Sequence, residues 1–228
     1  MNNLPGTTSL PRWPVYFLTG VALIIMLVSG YAQIFDRELL EYLILEDGVL
    51  ENLTALLLFL GGGFVFYHFF KNKNDKGIWW KIFHVVFGLT LWFGFAEEIS
   101  WGQRIVGFDT PVFFQKHNKQ YEVGIHNLTY GGFSVNRWIF SFGLSIGIAV
   151  YYLFFRLLTG RVAWIGNWTK RLGVPVPKWN QTLLLLASVL LILFIDHGKK
   201  WEIFECIFVL VFMITLYEGK EEAFGGGQ

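Results

Sequence analysis

Six stretches of this chain, 15–35, 49–70, 79–99, 138–158, 179–195 and 201–217, stay apolar for close to the ~20 residues that a helix needs to cross a bilayer. That feature leaves few folds open. Lipid offers no partner to a backbone N–H or C=O, so such a segment must satisfy its own groups as a helix. The expectation is an all-α polytopic integral membrane protein with about six transmembrane helices, built as one domain over residues 1–228. Composition agrees, since only 15% of the residues are charged and 54% are hydrophobic. Trp79, Trp80, Trp138, Trp179 and Trp201 stand at the ends of runs, where indole rings anchor helices at the interface. The first run lacks a small-residue cleavage pattern and is read as a retained span. The last two runs are short and joined only by Asp196-His197-Gly198-Lys199-Lys200, so five spans with a re-entrant piece is the alternative.

Lys and Arg set the orientation. The loop at 71–76 is basic, and 156–178 carries Arg156, Arg161, Lys170, Arg171 and Lys178. The positive-inside rule places both in the cytoplasm, with both termini, and puts the long loop 100–137 outside. The expected localisation is the bacterial inner membrane, as a multi-pass protein. A formal net charge of +1 gives no footprint for nucleic acid. Cys206 is the sole cysteine, which excludes an intrachain disulfide. The terminal Gly225-Gly226-Gly227-Gln228 reads as a flexible tail or an artificial extension.

Chemistry concentrates at the end of the third run, Glu97-Glu98-Ile99-Ser100-Trp101-Gly102-Gln103-Arg104. Carboxylates at the edge of a span are costly unless paired, hydrated or protonated, which makes them functional-site candidates. If the helix continues, Glu97, Trp101 and Arg104 share one face and Glu97 pairs with Arg104, while Glu98 points about 100° away toward a neighbouring helix. On this topology Glu46, Asp47, Glu51, His117, Glu122, His126, Asn127, Asp196, His197, Glu202 and Glu205 reach the same outer side. Of these, Glu46, Asp47 and Glu122 are read as solvated loop carboxylates and His117 as a surface histidine. Gly61-Gly62-Gly63 reads as a tight helix crossing. His68 and His84, at the other boundary, read as interfacial histidines, with a bis-histidine haem as the alternative.

The segment opened by Glu97-Glu98 resembles the Glu-Glu-x-x-x-Arg motif of CAAX-processing and bacteriocin-immunity membrane proteases, with Trp101 standing at the Arg position and Arg104 three residues later. That resemblance implies a water activated by the glutamates together with His or Asn from elsewhere. The fuller run, with Glu122 and His126-Asn127 after it, is similar over roughly residues 47–128 to uncharacterised bacterial polytopic membrane proteins, which implies no known activity.

The leading expectation is a membrane-embedded enzyme of hydrolase or transferase type, acting on a lipid or lipid-linked substrate at the outer face. Glu97, Glu98, Arg104, His126 and Asn127 are its candidate catalytic residues. In one version Glu98, His126, Glu205 and His197 hold a divalent metal ion that activates water. In the other a glutamate is the general acid or base, and Arg104 offers its planar guanidinium to a phosphate. The alternatives are a proton or cation transport component, and a structural or accessory subunit docking a membrane protein partner.

Overall fold

A computed structural model describes residues 11–225, without the side chains of residues 140, 141, 221 and 222. Most of the expected C-terminal tail, residues 226–228, lies outside the described residues. Pro14 opens helix α1, Trp13–Phe35, where its missing N–H would have no intrahelical partner in any case. Asp36 ends α1 and, by accepting the Leu39 N–H at 3.0 Å, starts the short α2, Arg37–Leu43. Then come α3, Val49–Asn72, and α4, Ile78–Glu98, joined by the short basic turn. The connection after α4 contains α5, Gln103–Val106, α6, Val112–His117, and a ribbon pairing Thr129–Tyr130 with Phe133–Ser134. Next is a helical run over Asn136–Arg161, in which π-type turns at Asn136–Gly143 and Val150–Phe155 alternate with α7, Leu144–Ala149, and α8, Arg156–Arg161. The chain closes with α9, Ala163–Leu172, α10, Trp179–Phe194, α11, Trp201–Glu218, and α12, Lys220–Phe224.

A helix thus occupies each of the six apolar stretches. Among the described residues, four helical segments are long and apolar enough to cross a membrane: Trp13–Phe35, Val49–Asp75, Ile78–Glu98 and Asn136–Arg161. Many of their large apolar side chains face outward, Leu27 and Phe35 with more than two thirds of their surface exposed. A water-facing surface of that kind is hard to sustain, and a lipid-facing one is ordinary.

The centre of the bundle is α11, which packs on α1, α3 and α10. Its Ile203, Cys206, Ile207, Leu210, Val211 and Ile214 are all buried. Thr215 of the same helix ties three elements together: its hydroxyl donates to Gln181 Oε1 of α10 (2.9 Å) and meets Tyr152 OH (3.1 Å). α3 and α4 run antiparallel in close contact. An added Cβ at Gly62 would lie 2.3 Å from the Trp92 ring, and one at Gly88 would lie 2.7 Å from the Phe66 ring. The expected crossing is there, at Gly61 and Gly62, whereas Gly63 faces open space. Between apolar helices in lipid, such close approach is what holds a pair together.

α3 therefore begins, α4 ends and α11 begins at one end of the bundle, which becomes the acidic end. The opposite end is closed by α12, folded back against α3 and α9.

Candidate functional site

The helix that carries Glu97 and Glu98 does not continue to Arg104. Ser100, Trp101 and Gly102 all take left-handed backbone conformations (φ 48°, 54° and 82°), so the chain turns sharply after α4. Only the glycine adopts this conformation freely, and each of the other two costs roughly 1–2 kcal/mol. Both are held in place. The Ser100 hydroxyl donates to Glu122 Oε2 at 2.6 Å, and the Trp101 indole donates to Glu97 Oε1 at 2.5 Å.

The expected Glu97–Arg104 pair is consequently replaced by two separate assemblies. Arg104 turns to the start of α3 and to the loop. It donates to Glu51 Oε1 at 2.7 Å and Glu122 Oε2 at 2.8 Å, pairs with Asp47, and reaches the Glu98 carbonyl at 3.3 Å. Burial works against its charge, but the bonds to Glu51 and Glu122 outweigh that and hold the guanidinium more firmly protonated than usual. Both of its terminal nitrogens are thereby engaged with protein oxygens. The sequence places Asp47, Glu51 and Glu122 at this end, but nothing in it marks them as the partners of Arg104. Like charges around one distant Arg give no periodic signal, and Glu122 becomes a partner only because the loop folds back.

Glu97, 5% exposed, is saturated. Its Oε2 accepts the backbone N–H groups of Ile125 and His126, both at 2.7 Å, and His126 Nδ1–H at 2.9 Å. A carboxylate with that many donors is an anchor for the loop. Burial opposes the charge of His126, but the hydrogen bond and charge of Glu97 prevail, aided by Glu205 and Glu122, and its pKa is raised. On its far side Nε2 lies 2.7 Å from Asn127 Nδ2, and Asn127 in turn bonds Gln120 and Asn136. As placed, the Asn127 amide donates from Nδ2 to a neutral Nε2 while its Oδ1 accepts from Asn136 Nδ2.

Taken together, the run 97–104 grips the segment 122–126: Arg104 and Ser100 hold Glu122, Gln103 accepts the Val123 N–H at 2.7 Å, and Glu97 holds Ile125 and His126. Glu98 alone among the polar side chains of the run takes no part. Its carboxylate accepts no hydrogen bond among the described residues, and it faces Glu51 of α3 and Glu202 and Glu205 of α11 within electrostatic range. His126 is in range of Glu205 as well. Glu205 keeps exposed surface, with Glu51 and His126 in range of it, and we term the space between these helix ends the acidic crevice. α4 and α11 touch farther down through Phe87 and Phe212, ring centroids 5.8 Å apart, and so close the crevice below.

The remaining candidates fall elsewhere. His197 Nε2 lies 3.3 Å from Glu41 and its Nδ1 accepts the Lys199 N–H, so it secures the turn before α11 to α2. Glu46 accepts from Lys199 at 2.8 Å and Gln120 at 3.0 Å, bonds that lower its pKa. His117 packs against Phe113 and Tyr130. Among the described residues no three His, Cys, Asp or Glu side chains are gathered closely enough to hold a metal ion. No family model matches the chain, and no curated protein or solved structure is significantly similar to it.

Proposed function

We propose that this chain is a multi-pass inner-membrane enzyme of hydrolase or transferase type, whose site is the acidic crevice at the outer ends of α3, α4 and α11. The observation that carries the reading is the division of labour within one short run. Every polar side chain from Glu97 to Arg104 except Glu98 is bonded to structure, and Glu98 is left facing Glu205 and Glu202 with no bonded partner among the described residues. Carboxylates placed in this way can give up a proton and take one back, which is general acid–base catalysis. The Glu97–His126 pair stands beside them, with Glu97 fixing the imidazole and Asn127 completing its orientation. Arg104 acts as the clamp that keeps the loop over the crevice.

A divalent cation between Glu98, His126 and Glu205 is the other form of the same chemistry. It requires the side chains to draw closer, whereas the acid–base form uses them where they stand. A proton-conducting component is the second reading, supported by carboxylates from three helices sharing one crevice.

The test compares membranes of cells that make the wild type, Glu98→Gln and His126→Ala, each at equal level, by mass-spectrometric lipid profiling. An enzyme gives a lipid species whose abundance follows the wild type and is lost in Glu98→Gln. Identical profiles in all three, with proton flux into liposomes that depends on Glu98, replace the enzyme by the transport reading. Elemental analysis of the purified proteins decides between the metal and acid–base forms.

A further inference from the structure

At the end of the bundle away from the crevice, one aromatic ring from the C-terminal segment occupies a socket made by α3 and α4. The Phe224 ring lies 4.8 Å from the His68 ring and 4.9 Å from the His84 ring, centroid to centroid, with Phe64 and Trp80 at 6.0 and 6.2 Å. Phe224 is 2% exposed and Trp80 3%. Two bonds tie the segment to the turn before α4 and to α4 itself. The Trp80 indole donates to the Ala223 carbonyl at 2.7 Å, and the Lys76 ammonium donates to the Gly225 carbonyl.

One wall of this socket is chemically incomplete. His84 is fully buried, and its Nδ1–H donates to the Trp80 carbonyl one turn back at 2.9 Å. That bond fixes the tautomer and leaves the lone pair on Nε2. Nε2 has no hydrogen-bond partner among the described residues. Buried polar atoms in proteins are almost always satisfied, so an orphaned acceptor on the wall of a filled socket asks what else the socket holds.

We propose that the socket under Phe224 is a binding site for a lipophilic phenol, of the hydroquinone-headgroup class, and that the segment 220–225 is its displaceable plug. Phe224 already demonstrates the shape, a flat ring between imidazole, indole and phenyl walls. What Phe224 lacks is a donor, and a phenolic O–H is the addition that a lone pair on His84 Nε2 would accept. An aliphatic alcohol could donate to Nε2 but would leave the ring walls uncovered. The socket lies at a bundle end that apolar helices deliver to the membrane surface, where a ligand with a hydrocarbon tail arrives from the lipid.

The experiment uses the full-length protein in detergent and two probes, decyl hydroquinone and its dimethyl ether. Methylation removes both donors and adds two methyl groups, and the His84→Phe variant separates the loss of the donor from the added bulk. The hydroquinone is expected to quench tryptophan fluorescence saturably, and the ether to bind at least tenfold more weakly. His84→Phe is expected to remove that difference while the protein stays monodisperse. Phe224→Ala vacates the plug and is expected to tighten hydroquinone binding about tenfold; Phe224→Leu, a milder change, serves if the alanine variant does not fold. Equal binding of the two probes to the wild type, an advantage for hydroquinone that survives in His84→Phe, or absence of saturable quenching overturns the proposal.

Discussion

Arg104 meets three carboxylates, and the imbalance makes its removal more damaging than the loss of any one of them. With Arg104→Ala, Glu51 and Glu122 are left facing each other without a cation. The expected loss is about 3 kcal/mol, the lower end of the range for breaking a buried pair, because a quarter of the Arg104 side chain is exposed. Double-mutant cycles on thermal stability in detergent give the partition: a coupling of about 1–3 kcal/mol for Arg104 with Glu122, and under about 0.5 kcal/mol for Arg104 with Glu97. The reverse order would restore the pairing expected from helical spacing. That expectation rested on a continuous helix, and the left-handed turn at Ser100 and Trp101 is what defeats it. Gly102 was the one local sign of the break; the partners that stabilise it, Glu122 and Glu97, lie outside any local window or depend on the turn itself.

pH acts on the same loop from two sides. His126 has a raised pKa in the folded state, so the stability from its pairing with Glu97 is fully present below its unfolded value of about 6.5 and is lost as pH rises through the folded one. Glu46 has a lowered pKa, so its contribution is present above about 4.5 and is lost as pH falls through the folded value. Glu46 is half exposed and contributes little. Limited proteolysis within 103–135 is therefore expected to be slowest between about pH 4.5 and 6.5 and to speed up above that window. A cleavage rate that is flat from pH 6 to 9 would show that His126 does not tether the loop.

At the scale of elements, the long apolar helices were legible because the membrane imposes one solution on every such run. The pairing of α3 with α4 was partly legible too. Three consecutive glycines announced a close crossing, but not which of them makes it. Position 62 faces Trp92 and position 63 faces open space, a difference fixed by the rotation of α3 against α4. Gly62→Val is thus expected to lower the melting temperature of the purified protein sharply, while Gly63→Val stays within about 0.5 kcal/mol of the wild type. Comparable losses at both positions would mean that the two helices meet on a different face. Less legible was the run at 136–161, where π-type turns appear without a proline or a polar insertion in the sequence, and we have no physical account of them.

For the whole molecule, the crevice and the socket lie at opposite ends, and the orientation proposed from the basic loops would set those ends on the two sides of the membrane. Cysteines introduced at Lys119 and Asn74, both exposed, read the assignment directly, since the native Cys206 is buried. An impermeant maleimide is expected to label Lys119→Cys and not Asn74→Cys in intact cells. The opposite pattern would move the crevice to the cytoplasm. The convergence of Glu98, Glu205 and His126 at one end was legible from topology alone. Which carboxylates are bonded and which are left open depends on hydrogen bonds that span tens of residues, and no residue pattern records those.

The central position of α11 governs when this protein can be finished. α1 is made first, yet much of the surface it buries is supplied by a helix that begins at Trp201. Until the ribosome has released that segment into the bilayer, α1 and α3 lack the element that joins them, and the acidic loop has half a crevice to cover. The α3–α4 pair can form before α11 exists, so the docking of α1 onto the bundle, not the bundle's first helix pairing, is the step that waits for the end of the chain.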